Sequence, residues 1–211
     1  MARAGLTRDG VLAAALALAD RDGLRSLSMR RVAAELGVEA MSLYNHVRNK
    51  ADLERGLIDS VWSEIDLARD EPDWRAALHR LAGSAHAALR SHPWFFSLPL
   101  ADAGSARLAV IDATLAHLAA GGVPDHVAFH ALHILDGHVY GYTWQALQFA
   151  PVDIPTRVDE LPDEIRAYPH LYAHALQHLE DRPPGDGFTI GLDLILDGLE
   201  RSTAAAASGP A

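Results

Sequence analysis

Histidine is the residue type whose spacing in this chain most directly suggests chemistry. Seven of the twelve histidines fall into two groups, one at His126, His130, His133 and His138 and the other at His170, His174 and His178. Side chains four residues apart on a helix can reach one metal ion, and a metal held in this way could activate water for hydrolysis. Leu171, Ala175 and Leu179 beside the second group favour an exposed face of hydrogen-bonded histidines instead. The sequence therefore predicts no metal site and no cofactor.

Other catalytic patterns are missing from the sequence. It has no Gly-x-Ser-x-Gly, no His-Glu-x-x-His, no phosphate-binding glycine loop and no cysteine. These absences argue against an enzyme, although a metal-dependent hydrolase built from histidine and carboxylate side chains stays as an alternative. Zinc content and hydrolase activity would discriminate between the two classes.

A pair of short helices is predicted near the N-terminus. The apolar residues of the first helix recur at i, i+3, i+4 and i+7, namely at Met29, Val32, Ala33 and Leu36. This spacing places them on one helical face. Ser28 is the expected N-cap, and Gly37 can adopt the positive φ that ends the helix.

The second helix of the pair is polar on its outer side. Leu43 and Val47 form a narrow apolar stripe that we assign to the core. The residues left facing outward are Glu39, Met41, Ser42, Tyr44, Asn45 and His46. A helix that is apolar inside and polar outside, directly after a tight turn, suits docking in a DNA major groove.

Four short motifs in this region resemble the DNA-binding domain of the TetR family of bacterial transcriptional regulators. They are the Leu-Ser-Met-Arg-Arg-Val-Ala run at 27–33, the Leu-Gly-Val turn at 36–38, Leu43-Tyr44-x-His46, and Asn49-Lys50-x-x-Leu53. The resemblance covers roughly residues 7–60, with the motifs in the family's order. It implies an all-α protein, in which a three-helix helix-turn-helix domain precedes a larger helical domain for ligand binding and dimerisation.

The resemblance also implies roles for individual residues. Contacts to DNA phosphates are expected from Ser28, Tyr44, His46 and Lys50, and contacts to base edges from Arg30, Met41, Ser42 and Asn45. Phosphate contacts set the register of a protein on DNA, whereas base contacts carry sequence information. Two residues depart from the commonest family pattern. Glu39 stands where a Ser or Thr helix cap is frequent, and Val47 stands where Phe is frequent.

Charge is distributed unevenly along the 211 residues. The net charge is −10, yet residues 1–55 carry nine basic and seven acidic residues, or +2, which leaves −12 for the remainder. A slightly basic head on an acidic body is typical of a DNA reader with a separate regulatory domain. No apolar run approaches the ~20 residues of a membrane span. Together with the absence of cysteine, this leads us to expect a cytoplasmic protein without membrane contact.

Helical spacing continues through the rest of the chain. We predict a DNA-binding domain at 1–50, a ligand-binding and dimerisation domain at 51–203 and a disordered tail at 204–211. A helix beginning at Asn49 is expected to bridge the two domains. Further helices are expected from about 74, 105, 124, 163 and 188, with proline-marked loops at 151–162 and 183–187.

The last helix resembles that of a subgroup related to the tetracycline repressor and is apolar around most of its circumference. Such a helix is buried on more than one side, as in a dimer interface. The predicted interface comprises Leu192, Ile195, Leu196 and Leu199 with Gly137 and Gly141, whose small size permits close helix approach. The predicted ligand pocket comprises Trp94, Phe95, Phe96, His133, Tyr140 and Trp144, which combine apolar surface with polar tips.

The sequence thus favours a ligand-responsive repressor that binds a palindromic DNA operator as a homodimer and is released by a small-molecule effector. Half-sites are expected one helical turn, ~34–36 Å, or a multiple apart. A ligand-independent DNA-binding protein is the other alternative. The effector, the operator sequence, the regulated genes and the sign of regulation are not encoded in these patterns.

Overall fold

Nine α-helices make up most of the part of the chain that the computed structural model describes, residues 6–98, 104–148, 157–180 and 186–207. Their bounds are α1 Arg8–Asp22, α2 Met29–Leu36, α3 Ala40–Leu43, α4 Lys50–Ser63, α5 Trp74–Ser91, α6 Ser105–Ala120, α7 Asp125–Gln148, α8 Pro169–Glu180 and α9 Gly187–Ala207. Short 3-10 turns lie at Leu24–Ser26, Pro93–Ser97, Val158–Glu160 and Asp163–Ala167. The described ranges contain no strand, so the predicted all-α class is confirmed.

Helix α2 begins and ends where the sequence predicts, whereas α3 is shorter than the predicted second helix: it ends at Leu43, and residues 44–46 form a turn. The side chain of Thr7 caps α1 by accepting a hydrogen bond from the Gly10 amide at 3.1 Å, and Ser28 caps α2 by accepting one from Arg31 at 3.3 Å. Gly37 ends α2 with φ of 65°, a left-handed conformation that glycine adopts without strain. Short-range hydrogen bonding thus fixes the turn between α2 and α3.

Helix α4 belongs to both halves of the molecule. Asn49 caps it by accepting a hydrogen bond from the Asp52 amide at 2.9 Å. The helix packs against α1 in the head and against α5 and α6 in the body. Gly56 is where α4 comes closest to α1, because a Cβ built there would meet the Leu12 side chain at 2.4 Å. The predicted boundary at residue 50 therefore falls on the first residue of a continuous helix.

The body is a helical bundle in which α7 is central. It packs against α5, α6 and α9, and every fourth residue of one face is buried: Ala131, Leu135, Val139 and Thr143. Helix α9 approaches α7 closely at Gly191, where an added Cβ would meet the His138 ring. No helix in the described ranges is long and apolar enough to cross a membrane.

The structure differs from the sequence prediction at the C-terminal helix. Helix α9 continues to Ala207 and so enters the region predicted as a tail from residue 204. Alanine has the highest helix propensity, and the run Ala204–Ala207 extends a helix that is already nucleated. Residues 208–211 and parts of the two predicted proline-marked loops lie outside the described residues.

Candidate nucleic-acid interface and ligand cavity

The helix pair α2 and α3 presents a polar outer face. Leu43 and Val47 are fully buried, as predicted, and anchor the pair to the head's core. On the opposite side Met41 is 73% exposed, Tyr44 and Asn45 are also exposed, and all three are free to meet a partner.

The remaining predicted DNA contacts border this face. Arg30 is exposed on α2, Ser42 is half-buried on α3, and Ser28 is half-buried with its hydroxyl capping α2. His46 is half-buried and its carbonyl accepts a hydrogen bond from Arg8 at 2.8 Å. Lys50 lies at the N-terminus of α4 with its ammonium 3.6 Å from Glu54. Helix N-terminal amides and a lysine together form a favourable place for a phosphate.

A buried carboxylate missed by the sequence analysis holds this face in place. Asp52 accepts hydrogen bonds from the Arg48 amide at 2.9 Å and from the Arg8 guanidinium at 3.3 Å. The Arg48 amide, and then Arg8, outweigh burial and lower the pKa of Asp52 to about 2. The side chain therefore stays charged at neutral pH and ties α1 to the start of α4. In the sequence, the only local sign of this role is that Asp52 lies three residues after Asn49, the N-cap of α4.

A second polar cluster, which we call the junction cluster, joins head and body. It consists of Asp20 at the end of α1, Glu64 after α4, and His92 and Trp94 after α5. The His92 ring lies 2.7 Å from an Asp20 oxygen through Nδ1 and 3.1 Å from Glu64 through Nε2, and the Trp94 indole donates to Asp20 at 2.6 Å. Burial alone would lower the pKa of His92, but its hydrogen bonds to the two carboxylates outweigh burial and raise that pKa. Protonated His92 can donate from both ring nitrogens.

A narrow cavity lies in the body between α4, α5, α6 and α7. Its enclosed volume is about 20 Å³, roughly the room for one water molecule. Apolar side chains form most of its walls, namely Trp62, Leu78, Leu81, Ala82, Ala85, Val110, Leu135 and Val139. The polar lining residues are Arg107, Thr114, Asp136 and Tyr140. The cavity is therefore apolar with a few polar groups, as ligand sites are.

The charged residues of the cavity form one connected group. Arg107 pairs with Asp136, and its guanidinium carbon lies 4.5 Å from the centroid of the Trp62 ring. The Thr114 hydroxyl is already used, since it donates to the Val110 carbonyl of its own helix at 2.9 Å. Burial raises the pKa of the Tyr140 hydroxyl, against the opposing charge of Arg107, so that this group remains a hydrogen-bond donor.

The six predicted ligand residues are distributed over four places. Tyr140 lines the cavity. Phe95 and Phe96 lie behind it and pack edge-on against Trp62 and Tyr140 respectively. Trp94 belongs to the junction cluster, and His133 and Trp144 are exposed on the outer face of α7. The sequence prediction missed Trp62, Arg107 and Asp136; the single arginine of the mostly apolar α6 was the signal available.

The outer sides of α7 and α9 form an exposed apolar surface. It comprises Phe129, Ile134, Trp144, Ile190 and Leu194, of which Leu194 is 67% exposed. Gly137 and Gly141 lie on the same side of α7, exposed and with nothing within 4 Å of an added Cβ. The structure places Leu192, Leu196 and Leu199 elsewhere, in the chain's own core, and Ile195 is half-buried against that core. These three leucines have no surface to offer a second copy.

The histidine groups do not form a metal centre in the described residues, where no set of three or more histidine or carboxylate side chains could hold one ion. The His138 ring instead lies 2.8 Å from the Phe188 carbonyl oxygen. The ring of His86, a residue of α5, lies 2.7 Å from the Thr143 hydroxyl of α7. His126, His130 and His170 are exposed. These contacts give the metal-dependent hydrolase no structural support.

Two models of known protein families match this chain. Residues 11–55 match bacterial regulatory proteins of the tetR family, and residues 68–203 match the C-terminal domain of proteins like the tetracycline repressor. Each match covers one of the two halves described above.

Individual relatives match over nearly the whole chain. The HTH-type transcriptional repressor DrrR1 of Streptomyces coeruleorubidus is 34% identical, over 92% of this chain and 77% of that protein. Apo ActR from Streptomyces coelicolor has a TM-score of 0.77 at 25% identity, covering 97% of this chain and 100% of that one. ActR in complex with actinorhodin has a TM-score of 0.73 at 25% identity, covering 95% and 99%.

Proposed function

The chain belongs to the TetR family of bacterial transcriptional regulators, and from that premise we propose that it is a repressor released from its operator by a small molecule. The observation that carries the proposal is the face of α2 and α3, on which Met41, Tyr44 and Asn45 are exposed while Leu43 and Val47 anchor the pair to the core. A protein that reads operator DNA works in the compartment that holds the DNA, which supports the cytoplasm as its location.

We assign the DNA contacts as the sequence predicts. Arg30, Met41, Ser42 and Asn45 read base edges, and Ser28, Tyr44, His46 and Lys50 contact phosphates. The exposure of Met41 on α3 and of Asn45 in the turn directly after it supports this division, because both side chains reach outward from the helix pair. The body is acidic and repels phosphate, so electrostatics favour contact with DNA through the head alone.

We propose that the protein is a homodimer and that the second copy covers the apolar surface of α7 and α9. Large exposed apolar patches mark interaction sites, and two-fold dimers use the same surface of both subunits. Ile190 and Leu194 then replace the buried leucines of the sequence prediction, while Gly137 and Gly141 let the paired helices approach closely. A dimer matches a palindromic operator through its symmetry.

The effector acts on the body by a population shift. A small-molecule site typically needs ~300 Å³ or more, whereas the cavity encloses about 20 Å³, so a bound effector must separate its walls. One of these walls is Trp62, near the end of α4, and α4 begins with Lys50 in the head. An effector that binds only the widened body therefore favours a different placement of the heads. This proposal includes no catalysis.

Selection of binding sites from a random DNA pool tests the function, with purified protein at two salt concentrations. Enrichment of an inverted repeat, with half-sites one or more helical turns apart, is the expected outcome. Salt-sensitive retention without sequence enrichment would instead favour a ligand-independent DNA-binding protein, and no retention would reject DNA binding. The Met41→Ala and Asn45→Ala variants should shift the enriched sequence, while the exposed Leu171→Ala variant on α8 serves as the matched control.

A further inference from the structure

The polar group of the cavity is incompletely satisfied. Nη1 of Arg107 is buried and has no hydrogen-bond partner among the described residues, although the same guanidinium pairs with Asp136 through Nη2. The side chain is only 13% exposed, so water reaches it poorly. An unpaired buried donor costs free energy, and the cost is larger on a charged group. Arg107 lines the cavity, so its unpaired nitrogen is a donor that a ligand acceptor can satisfy once the walls separate.

The shape of the site restricts what can bring that acceptor. The guanidinium is stacked over the Trp62 ring at 4.5 Å, and the ring of Tyr140 packs edge-on against Trp62 at 5.8 Å between centroids. The flat rings of Trp62 and Tyr140 therefore line the cavity together with the guanidinium, and aliphatic side chains of α5, α6 and α7 form most of the rest of the wall. A planar aromatic ligand buries the most area against such walls.

Charge restricts the ligand further. Asp136 is the carboxylate that lines the cavity, it is paired with Arg107, and it is 29% exposed. A cationic ligand would compete with Arg107 for one carboxylate and would leave a buried guanidinium unpaired. An anionic oxygen instead gains a charge-assisted hydrogen bond from Nη1 without breaking the pair. The Tyr140 hydroxyl adds a second donor in the same cavity.

We propose that the effector is a planar aromatic compound that carries an anionic oxygen, which binds Nη1 of Arg107 while the ring system packs against Trp62 and Tyr140. The inference rests on the proposed effector cavity and names the chemical class that the cavity accepts. It also assigns Arg107 as the residue that determines specificity for charge. Because Arg107 lies on Trp62, this ligand acts where the body meets α4.

Two fluorescent dyes test the charge requirement directly. 8-Anilino-1-naphthalenesulfonate has two aromatic ring systems and one sulfonate, and N-phenyl-1-naphthylamine has the same rings without the sulfonate. We expect wild-type protein to bind both. Arg107→Met should weaken binding of the sulfonate dye about tenfold, the value of one charge-assisted hydrogen bond, and should leave the uncharged dye unchanged. Asp136→Asn should strengthen binding of the sulfonate dye, because it removes a negative charge from the lining of the cavity.

Controls separate charge from shape. Arg69→Met removes an exposed arginine after α4 and should affect neither dye. Arg107→Gln provides a second neutral variant if methionine prevents folding, which thermal melting monitors. Equal loss of both dyes in the Arg107 variants, no loss of either, or no binding to wild-type protein would each overturn the inference. Dye binding is measured without DNA, so its failure and the failure of operator selection are distinguishable.

Discussion

Replacement of His92 by phenylalanine tests how strongly the junction cluster joins the head to the body. Phenylalanine keeps a ring in the buried position beside Trp94 but removes both donors to Asp20 and Glu64. A buried hydrogen bond to a charged group contributes ~1.5–3 kcal/mol. The side chains of Asp20 and Glu64 are 33% and 43% exposed, so solvent replaces part of that contribution when His92 is removed. We take about 1 kcal/mol for each contact, or ~2 kcal/mol together.

Thermal melting measures this loss, and its pH dependence identifies the cause. At pH 6 the variant should melt ~4–8 °C below wild type, because 1 kcal/mol corresponds to ~2–4 °C in a chain of this size. The folded-state pKa of His92 lies above its ordinary value of 6.5. Its contribution is therefore fully present below pH 6.5 and is lost as the pH rises through the folded-state pKa. The difference in melting temperature should narrow toward alkaline pH.

The exposed His170→Gln variant on α8 is the matched control and should melt like wild type at every pH. A difference that stays constant between pH 6 and pH 9 would show that protonation of His92 does not hold the cluster together. A variant that melts like the control at pH 6 would refute the assignment of the cluster as a stabilising contact between head and body.

Three further predictions concern the DNA-binding head and the dimer. Lys50→Ala should weaken binding to every DNA sequence and lower the salt slope of the binding constant by about one unit, and an unchanged slope would remove Lys50 from the phosphate contacts. Asn45→Ala should relax base preference at one operator position by ~1–3 kcal/mol in a binding assay with single-base operator variants, and equal loss at all positions would mean that Asn45 positions the helix. Leu194→Glu should convert a dimer to monomers in sedimentation and abolish operator binding. The same change at Leu171, another exposed leucine but on α8, should leave the mass unchanged. A Leu194→Glu variant that remains dimeric would place the interface elsewhere.

The head was predictable because its structure depends on neighbours in sequence. Thr7, Ser28 and Asn49 each cap a helix through an amide three residues on, and Gly37 ends one through its own φ. The apolar spacing that places Leu43 inside also places Met41 outside. These relations span a few residues, so that a single sequence carries them.

The cavity was not predictable because its parts are distant in sequence. Trp62, Arg107 and Asp136 come from three helices, and only the packing of α4, α6 and α7 brings them together. Aromatic residues at 94–96 suggested a pocket, yet a 3-10 turn directs Trp94 to a carboxylate at the junction and Phe95 into the core. Residue type alone does not distinguish a ligand wall from a buried hydrogen-bond donor.

Helix α9 shows a third limit of sequence patterns. It is apolar on most sides, so its periodicity predicts burial on two sides but does not show which side meets which partner. The structure gives Leu192, Leu196 and Leu199 to the chain's own core, which leaves Ile190 and Leu194 outside. This arrangement includes the close approach of Gly191 to His138, a contact between two helices that no local pattern records.

Helix α4 can be treated as a rigid lever. Lys50 and Trp62 are twelve residues apart, so at a rise of 1.5 Å per residue the lever is ~18 Å long. A tilt of ~10° about the Trp62 end moves the Lys50 end by ~3 Å, close to the 3.4 Å that separates successive base pairs. A tilt of about 10° in α4 is therefore enough to shift the Lys50 end of the helix by about one base-pair step.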